Sequence, residues 1–268
     1  MTLSTLPMYD PPELQQVTDT WWQGLARLMQ SQGISNPPNQ LSRADDDAAF
    51  WRRDDLLMSQ TCGYPLMTAF RDHLKLIGTP HYNVPGCEGA LYSSWVIVRA
   101  DHPAQALVDL RGGICALNNR TSHSGMNALR HALAPLADGR AFFAEVKVSG
   151  GHRQSVQMVA QGRADVAAID CVTWALIEQV APQELAGVRI LTQTAKAPGL
   201  PYVTAAATDD QTCAKLKAAV HRAVEDPSLA EACRSLRVCG FSETTLSDYG
   251  VILEMEREAV DLGYPVLK

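Results

Sequence analysis

The run Asn118-Asn119-Arg120-Thr121-Ser122-His123-Ser124-Gly125 gathers hydroxyl, amide and imidazole side chains directly ahead of a helical apolar pattern. Residues 114–118 before it read as a strand, so the run occupies a strand-to-helix turn. At the start of a helix the first N–H groups lack intrahelical partners and the dipole is positive. Thr121, Ser122 and Ser124 can join such groups in holding an oxyanion without a formal countercharge. Gly125 lets backbone approach closely. The competing role is simple capping by Ser122 or Ser124.

Two later turns have the same character. In Val148-Ser149-Gly150-Gly151-His152, Ser149 is a candidate donor, and His152 stands at the mouth of its helix, where a ring nitrogen can donate to an anion. Asp170 ends the apolar strand 165–169. Its carboxylate can accept from a ligand amine, share a proton with an acidic oxyanion, or cap the helix that follows. Tyr9, Tyr64 and Tyr92 combine an apolar body with a phenolic donor, which suits a pocket wall and equally suits a core with its hydroxyl at the rim.

These residues need elements to position them. Residues 3–8 read as a strand, followed by prolines that open a helix. Leu14, Val17, Trp21, Leu25 and Leu28 recur at helical spacing up to Gly33. A polar connection covers 36–47, a strand 56–59, and helical spacing returns over 66–76. A strong strand pattern spans 92–99. From there strands (114–118, 143–148, 165–169, 188–192) alternate with helices (124–136, 152–161, 171–180), the pattern of parallel βαβ units, which place ligands at the carboxyl ends of their strands. A strand at 198–205 precedes helices near 209–224, 228–236 and 246–262.

Composition narrows the class. The 268 residues are 46% apolar and 19% charged, with 23 Lys and Arg against 29 Asp and Glu, a net charge of −6. A chain of this size buries roughly 70–75% of its unfolded surface and needs no metal or disulfide staple. The absence of a basic block argues against nucleic-acid binding, which rests on displacing counterions with several Lys or Arg. No apolar stretch is long enough to span a bilayer, so membrane insertion is not expected. The 7 cysteines show no CxxC spacing, and neither they nor the histidines suggest a metal site. Reduced thiols and an N-terminus without a basic and apolar leader point to the cytoplasm; a chain trimmed of its leader would belong to the periplasm.

The ordered segments at 92–103 (Tyr-Ser-Ser-Trp-Val-Ile-Val-Arg-Ala-Asp-His-Pro), 109–113 (Asp-Leu-Arg-Gly-Gly), 119–125, 149–152 (Ser-Gly-Gly-His), 162–170 (Gly-Arg-Ala-Asp-Val-Ala-Ala-Ile-Asp) and 198–203 (Pro-Gly-Leu-Pro-Tyr-Val) resemble the phosphate, phosphite and phosphonate substrate-binding proteins of ABC transporters. No single segment is specific, and the ordered set over about 56–206 carries the resemblance. It implies a two-lobed α/β fold of the type II periplasmic-binding-protein kind. Each lobe would be a mostly parallel sheet flanked by helices, with two crossover strands joining residues 1–97 and 199–268 to residues 98–198. It also implies a non-enzymatic binder of a small oxyanion, held between the lobes by Thr121, Ser122, His123, Ser124, His152 and Asp170 with Tyr64 and Tyr92. Tyr9 is added from its position alone. An ABC permease or a signalling partner would receive the ligand or the signal, and no cofactor is implied. His123 departs from the small hydroxyl residue usual in the loop, which reshapes the pocket, favours a different acid or adds a pH-sensitive charge.

Two other functions fit some of the residues. Cys171 and His152 could serve an enzyme as nucleophile and base, although no spacing fixes their geometry. An effector-sensing domain that signals to a separate protein is the third.

Overall fold

The computed structural model of the chain describes residues 2–43 and 47–268; residues 44–46, part of the expected 36–47 connection, lie outside the described residues. In chain order the elements are β1 (Leu3–Ser4), α1 (Gln15–Ser31), α2 (Asp47–Phe50), β2 (Leu56–Gln60), α3 (Gly63–Met67), β3 (Leu74–Tyr82), β4 (Leu91–Tyr92), β5 (Ser94–Arg99) and β6 (Ile114–Leu117). A π-helical turn (His123–Asn127) leads into α4 (Ala128–Ala137), β7 (Glu145–Val148), α5 (His152–Ala160), β8 (Val166–Asp170), α6 (Cys171–Val180) and β9 (Val188–Gln193). The chain ends with β10 (Ala197–Pro198), β11 (Tyr202–Ala205), α7 (Asp210–Glu225), α8 (Ala230–Ser235), β12 (Val238–Ser242) and α9 (Gly250–Asp261).

Two compact units result. The first comprises Met1–Asn83, Glu88–Leu91 and Pro198–Tyr249; the second comprises Val84–Cys87, Tyr92–Ala197 and Gly250–Lys268. The first unit is built on a sheet of order β1-β2-β11-β3-β12. One core of this unit joins Trp51, Leu56, Leu66, Phe70, Leu74 and Val203. Helix α1 buries Trp21, Trp22, Leu25 and Met29, close to the stripe its spacing predicts.

The second unit is built on a sheet of order β7-β6-β8-β5-β9. Strand β6 runs parallel to β7 on one side and to β8 on the other, with Ala116 opposite Lys147 and Ala167. Ile97, Ala116, Val156, Ala167, Ile169 and Ile177 form the core between this sheet and its helices. Strand β8 is buried along its whole length, which explains why Val-Ala-Ala-Ile-Asp reads as an unbroken apolar run rather than an alternating one.

Several expectations change. The sheets are mixed rather than mostly parallel: β5 is antiparallel to β8 and β9, and β11 is antiparallel to β2 and β3. Parallel neighbours arise where a helix crossover joins them, as in β6-α4-β7-α5-β8, whereas β5 and β11 are entered without one. The expected division at 97/98 and 198/199 also differs from the observed units. Strand β5 belongs wholly to the second sheet. Residues 250–268 join the second unit because Ile252 O and Pro265 O accept from Asn127 and Arg130.

The helical pattern read over 66–76 divides into the short α3 and the strand β3. Leu66, Phe70 and Leu74 are buried at helical spacing, but a turn through residues 68–73 separates them. Gly78 and Pro80 masked the strand signal of β3. A Cβ at Gly78 would collide with Phe241, and its φ of 154° is tolerated by glycine. Strand β12 was likewise absent from the sequence expectation. The first strand is only two residues long, where residues 3–8 were expected.

Candidate functional site

The three polar turns singled out in the sequence follow β6, β7 and β8, which lie side by side in one sheet as parallel strands. Their carboxyl ends therefore share an edge of the second unit. After β6, Ser122 caps the π-helical turn: its Oγ accepts from Gly125 N at 3.0 Å. Single π-helical turns concentrate at functional sites because the wider i to i+5 ring re-aims its side chains. Ser122 Oγ lies 3.3 Å from Ser124 Oγ, and Ser124 Oγ lies 2.8 Å from His152 Nε2, the first residue of α5. A hydroxyl-imidazole chain thus joins two turns.

Asn118, at the end of β6, completes this cluster. Its Nδ2 is 3.3 Å from His152 Nε2, while its Oδ1 is enclosed without a hydrogen-bond partner. An amide N–H only donates, so with this orientation Nε2 accepts and the ring proton sits on Nδ1. Nδ1 is enclosed, outside hydrogen-bond geometry to the described groups. Burial pushes the His152 imidazole down to about 4, against a smaller opposing pull from the Ala168 backbone. Gly125 is required here by space, because a Cβ would collide with Asn118 Oδ1.

His123 is enclosed, with 2% exposure, and burial holds its imidazole at about 3, with a further push from His131. Its tautomer follows from a buried relay. Arg130 Nη2 only donates, and it gives to Asn127 Oδ1 at 2.6 Å. The Asn127 amide is thereby oriented, and its Nδ2 donates to Ile252 O at 3.0 Å and to His123 Nδ1 at 3.2 Å. Nδ1 is an acceptor, so the single proton of the neutral ring is on Nε2. The Tyr92 ring, 2% exposed, lies 6.1 Å from the imidazole at 43°.

The remaining predicted residues are placed less favourably. Thr121 is exposed, and both its N–H and its hydroxyl donate to Asn119 Oδ1 at 2.9 Å, an Asx turn that keeps it out of the Ser122–His152 chain. Asp170 is buried and caps α6, its Oδ1 accepting from Val172 N and Thr173 N at 2.8 and 2.9 Å. Ser149 turns inward: its hydroxyl meets Leu117 O, Gly151 O and Ser155 Oγ, so it clasps the turn instead of offering a donor. Tyr9 and Tyr64 belong to the first unit. Tyr9 is buried edge-on against Tyr82 at 5.0 Å, and Gln60 donates to the Tyr82 hydroxyl at 3.0 Å; Tyr64 is half-buried in α3.

Asn127 and Arg130 lie outside the candidates drawn from the sequence, and Asn118 stands in the run Asn118–Gly125 without a role assigned to it. Asn118 was visible as the polar end of an apolar strand. Nothing in the sequence marked Asn127 and Arg130, whose partners Ile252 and Pro265 lie more than 100 residues away. The Cys171 thiol meets Cys87, and His152 Nε2 meets Ser124 and Asn118. A groove of about 720 Å³ on the first unit carries Lys75, Asp210, Lys217 and Glu243, charges that pair with one another at 3.0 and 3.1 Å. Among the described residues no helix is long and apolar enough to cross a membrane.

A family model described as the periplasmic substrate-binding protein of the phosphonate ABC transporter matches residues 9–249. No curated protein sequence matches the chain. A solved binding-protein component of an ABC phosphonate transporter from Pseudomonas aeruginosa is similar at a TM-score of 0.78 and 15% identity, over 97% of this chain and 87% of that one. PhnD1 from Prochlorococcus marinus, in complex with methylphosphonate, gives 0.72 and 15% over 96% and 97%. XAC2383 from Xanthomonas citri bound to ATP gives 0.73 and 18% over 97% and 98%. At such identities the likeness concerns the fold alone.

Proposed function

Because the chain belongs to the phosphonate family of periplasmic substrate-binding proteins of ABC transporters, we propose that the polar cluster of its second unit binds a small phosphorus oxyanion of the phosphate, phosphite or phosphonate class. The family implies two partners, a small ligand and a membrane permease that receives it. The observation that carries the proposal is the chain Ser122–Ser124–His152, which unites the turns after β6 and β7 at a helix start.

The chemistry is one of neutral donors. With His123 near 3 and His152 near 4, neither ring carries charge at pH 7. Ligand oxygens then meet Ser122 and Ser124 hydroxyls and the Nε2–H of His123. When Ser124 gives its proton to the ligand, His152 Nε2 remains held by Asn118. Asp170 accepts an acidic proton of the ligand, which favours a hydrogen phosphonate over a fully ionised oxyanion. Donors fixed to one shape leave costly unpaired groups when a misfit enters. Thr121, Tyr92 and Tyr64 stand in the proposal on the family resemblance, and Tyr9 on its position in the sequence alone.

Catalysis by Cys171 and His152 gains no support, since each group has a different partner. Titration calorimetry with methylphosphonate and with phosphate tests the proposal. Binding by the wild type that weakens at least tenfold in Ser124→Ala supports it; heat of binding that is unchanged by Ser124→Ala removes the cluster from the site.

A further inference from the structure

Two of the 7 cysteines come together in the fold. Cys87 Sγ and Cys171 Sγ are 3.5 Å apart, although 84 residues separate them in sequence. Cys171 is fully buried as the first residue of α6, directly after Asp170, whereas Cys87 is half-exposed. Both belong to the second unit, and Cys87 is its last residue before the chain returns to the first unit at Glu88.

The approach is built into the local backbone. Gly86 adopts a φ of 95°, and a Cβ there would stand 2.8 Å from Cys171 Cβ and 3.0 Å from Ser93 Oγ. Only glycine allows this segment to lie so close. Ser93 then ties both sides: its Oγ donates to Gly86 O at 3.0 Å, and its carbonyl accepts from Cys171 N at 3.1 Å. The sulfurs need move only about 1.5 Å to reach bonding distance, which is about 2.05 Å.

We propose that Cys87 and Cys171 are a reversible dithiol–disulfide pair that clips the segment Val84–Cys87 to the start of α6. The oxidant is a small disulfide of the glutathione class. The Cys87 thiol, the accessible one, loses its proton to solvent and attacks one sulfur of the oxidant, forming a mixed disulfide and releasing one thiolate. The Cys171 thiolate then attacks Cys87 Sγ, which forms the intramolecular bond and releases the second thiolate. Two protein thiols are oxidised and one small disulfide is reduced to two thiols. A thiol reductant reverses both steps. The clip closes an 84-residue loop and abuts Asp170, so oxidation stiffens the turn that ends β8.

The experiment equilibrates the full chain with oxidised glutathione, quenches with an alkylating agent and maps the peptides by mass. The expected result is a Cys87–Cys171 bond in the wild type and a melting temperature higher after oxidation than after reduction, with no such rise in Cys87→Ser. Cys171→Ala, which puts no polar group in the buried site, should hold glutathione stably on Cys87. Alkylation of both Cys87 and Cys171 after equilibration, or bonds made only to other cysteines, overturns the proposal. So does a Cys171→Ala protein that carries no glutathione at Cys87. None of these outcomes depends on which ligand the protein binds.

Discussion

Ser124 Oγ stands 2.8 Å from His152 Nε2 and so couples the turn after β6 to the first residue of α5. Neither residue would have an assigned partner from its local sequence. The pairing exists because β6 and β7 are parallel neighbours whose carboxyl ends coincide.

Removing that hydroxyl should separate binding from folding. Ser124→Ala is expected to weaken oxyanion affinity by about 10- to 100-fold, the effect of one hydrogen bond to a charged group at about 1.5–3 kcal/mol. The melting temperature without ligand should move by only a few degrees, because Ser122 still caps the turn. Calorimetry and thermal melts of the same preparation check both halves.

The relay behind His123 gives a spectroscopic expectation. In the wild type the ¹⁵N signals of His123 should report a proton on Nε2 and none on Nδ1, since Asn127 Nδ2 donates to Nδ1. Asn127→Asp places an acceptor there and should move the proton to Nδ1. It also leaves Ile252 O without its donor, for a stability loss of about 1–3 kcal/mol read by urea unfolding. An unchanged tautomer in that variant would remove Asn127 from control of the ring.

Stability should fall on mild acidification. The folded-state values of His123 and His152, about 3 and about 4, are depressed below the ordinary 6.5. Below pH 6.5 the unfolded chain takes up protons that the folded one refuses, so stability is lost as pH drops from about 6.5 toward 4. At pH 5 each histidine should cost about 2 kcal/mol, at 1.36 kcal/mol per pKa unit. Surface carboxylates such as Asp109 and Asp209, held low by backbone N–H groups, act in the same direction only as pH falls through their own lower range. Urea unfolding between pH 7.5 and 5 should show the histidine slope, and His123→Gln should flatten it.

Space at Gly125 is tested by Gly125→Ala. The added methyl would collide with Asn118 Oδ1 and press on His152 Cε1, 3.2 Å from its position. A destabilisation of about 1–3 kcal/mol, the usual cost of overpacking, and a loss of ligand affinity are expected together. Asn118→Ala in the same chain should restore the stability and leave the affinity low.

How far the sequence disclosed these features depended on distance along the chain. The helix over Cys171–Val180 and the strands around it were legible because their periodicity and caps are local, and Asp170 proved to be a cap as its position before an apolar helix allowed. Strand β3 was hidden by Gly78 and Pro80, whose tolerance depends on a neighbouring strand far along the chain. The Ser122-His123-Ser124 run is marked in the sequence by its polar residue types and by its place between a strand and a helix. What each side chain does there was not legible, because the partners that decide it, His152, Ile252 and Pro265, meet the run only in the folded sheet. The charge of −6 gave no guide to the proposed anion site, since a net charge does not count oriented hydroxyls and N–H groups.

The most direct test of oxyanion binding is a thermal-shift titration of the full chain with phosphate, phosphite, methylphosphonate and an aminoalkylphosphonate. At 100 times its dissociation constant the right ligand should stabilise the fold by about 2.7 kcal/mol, and Ser124→Ala, at the same concentration and with about 10- to 100-fold weaker binding, should keep only about 0.4–1.4 kcal/mol of that gain. A melting temperature unmoved by every member of the series would contradict the account.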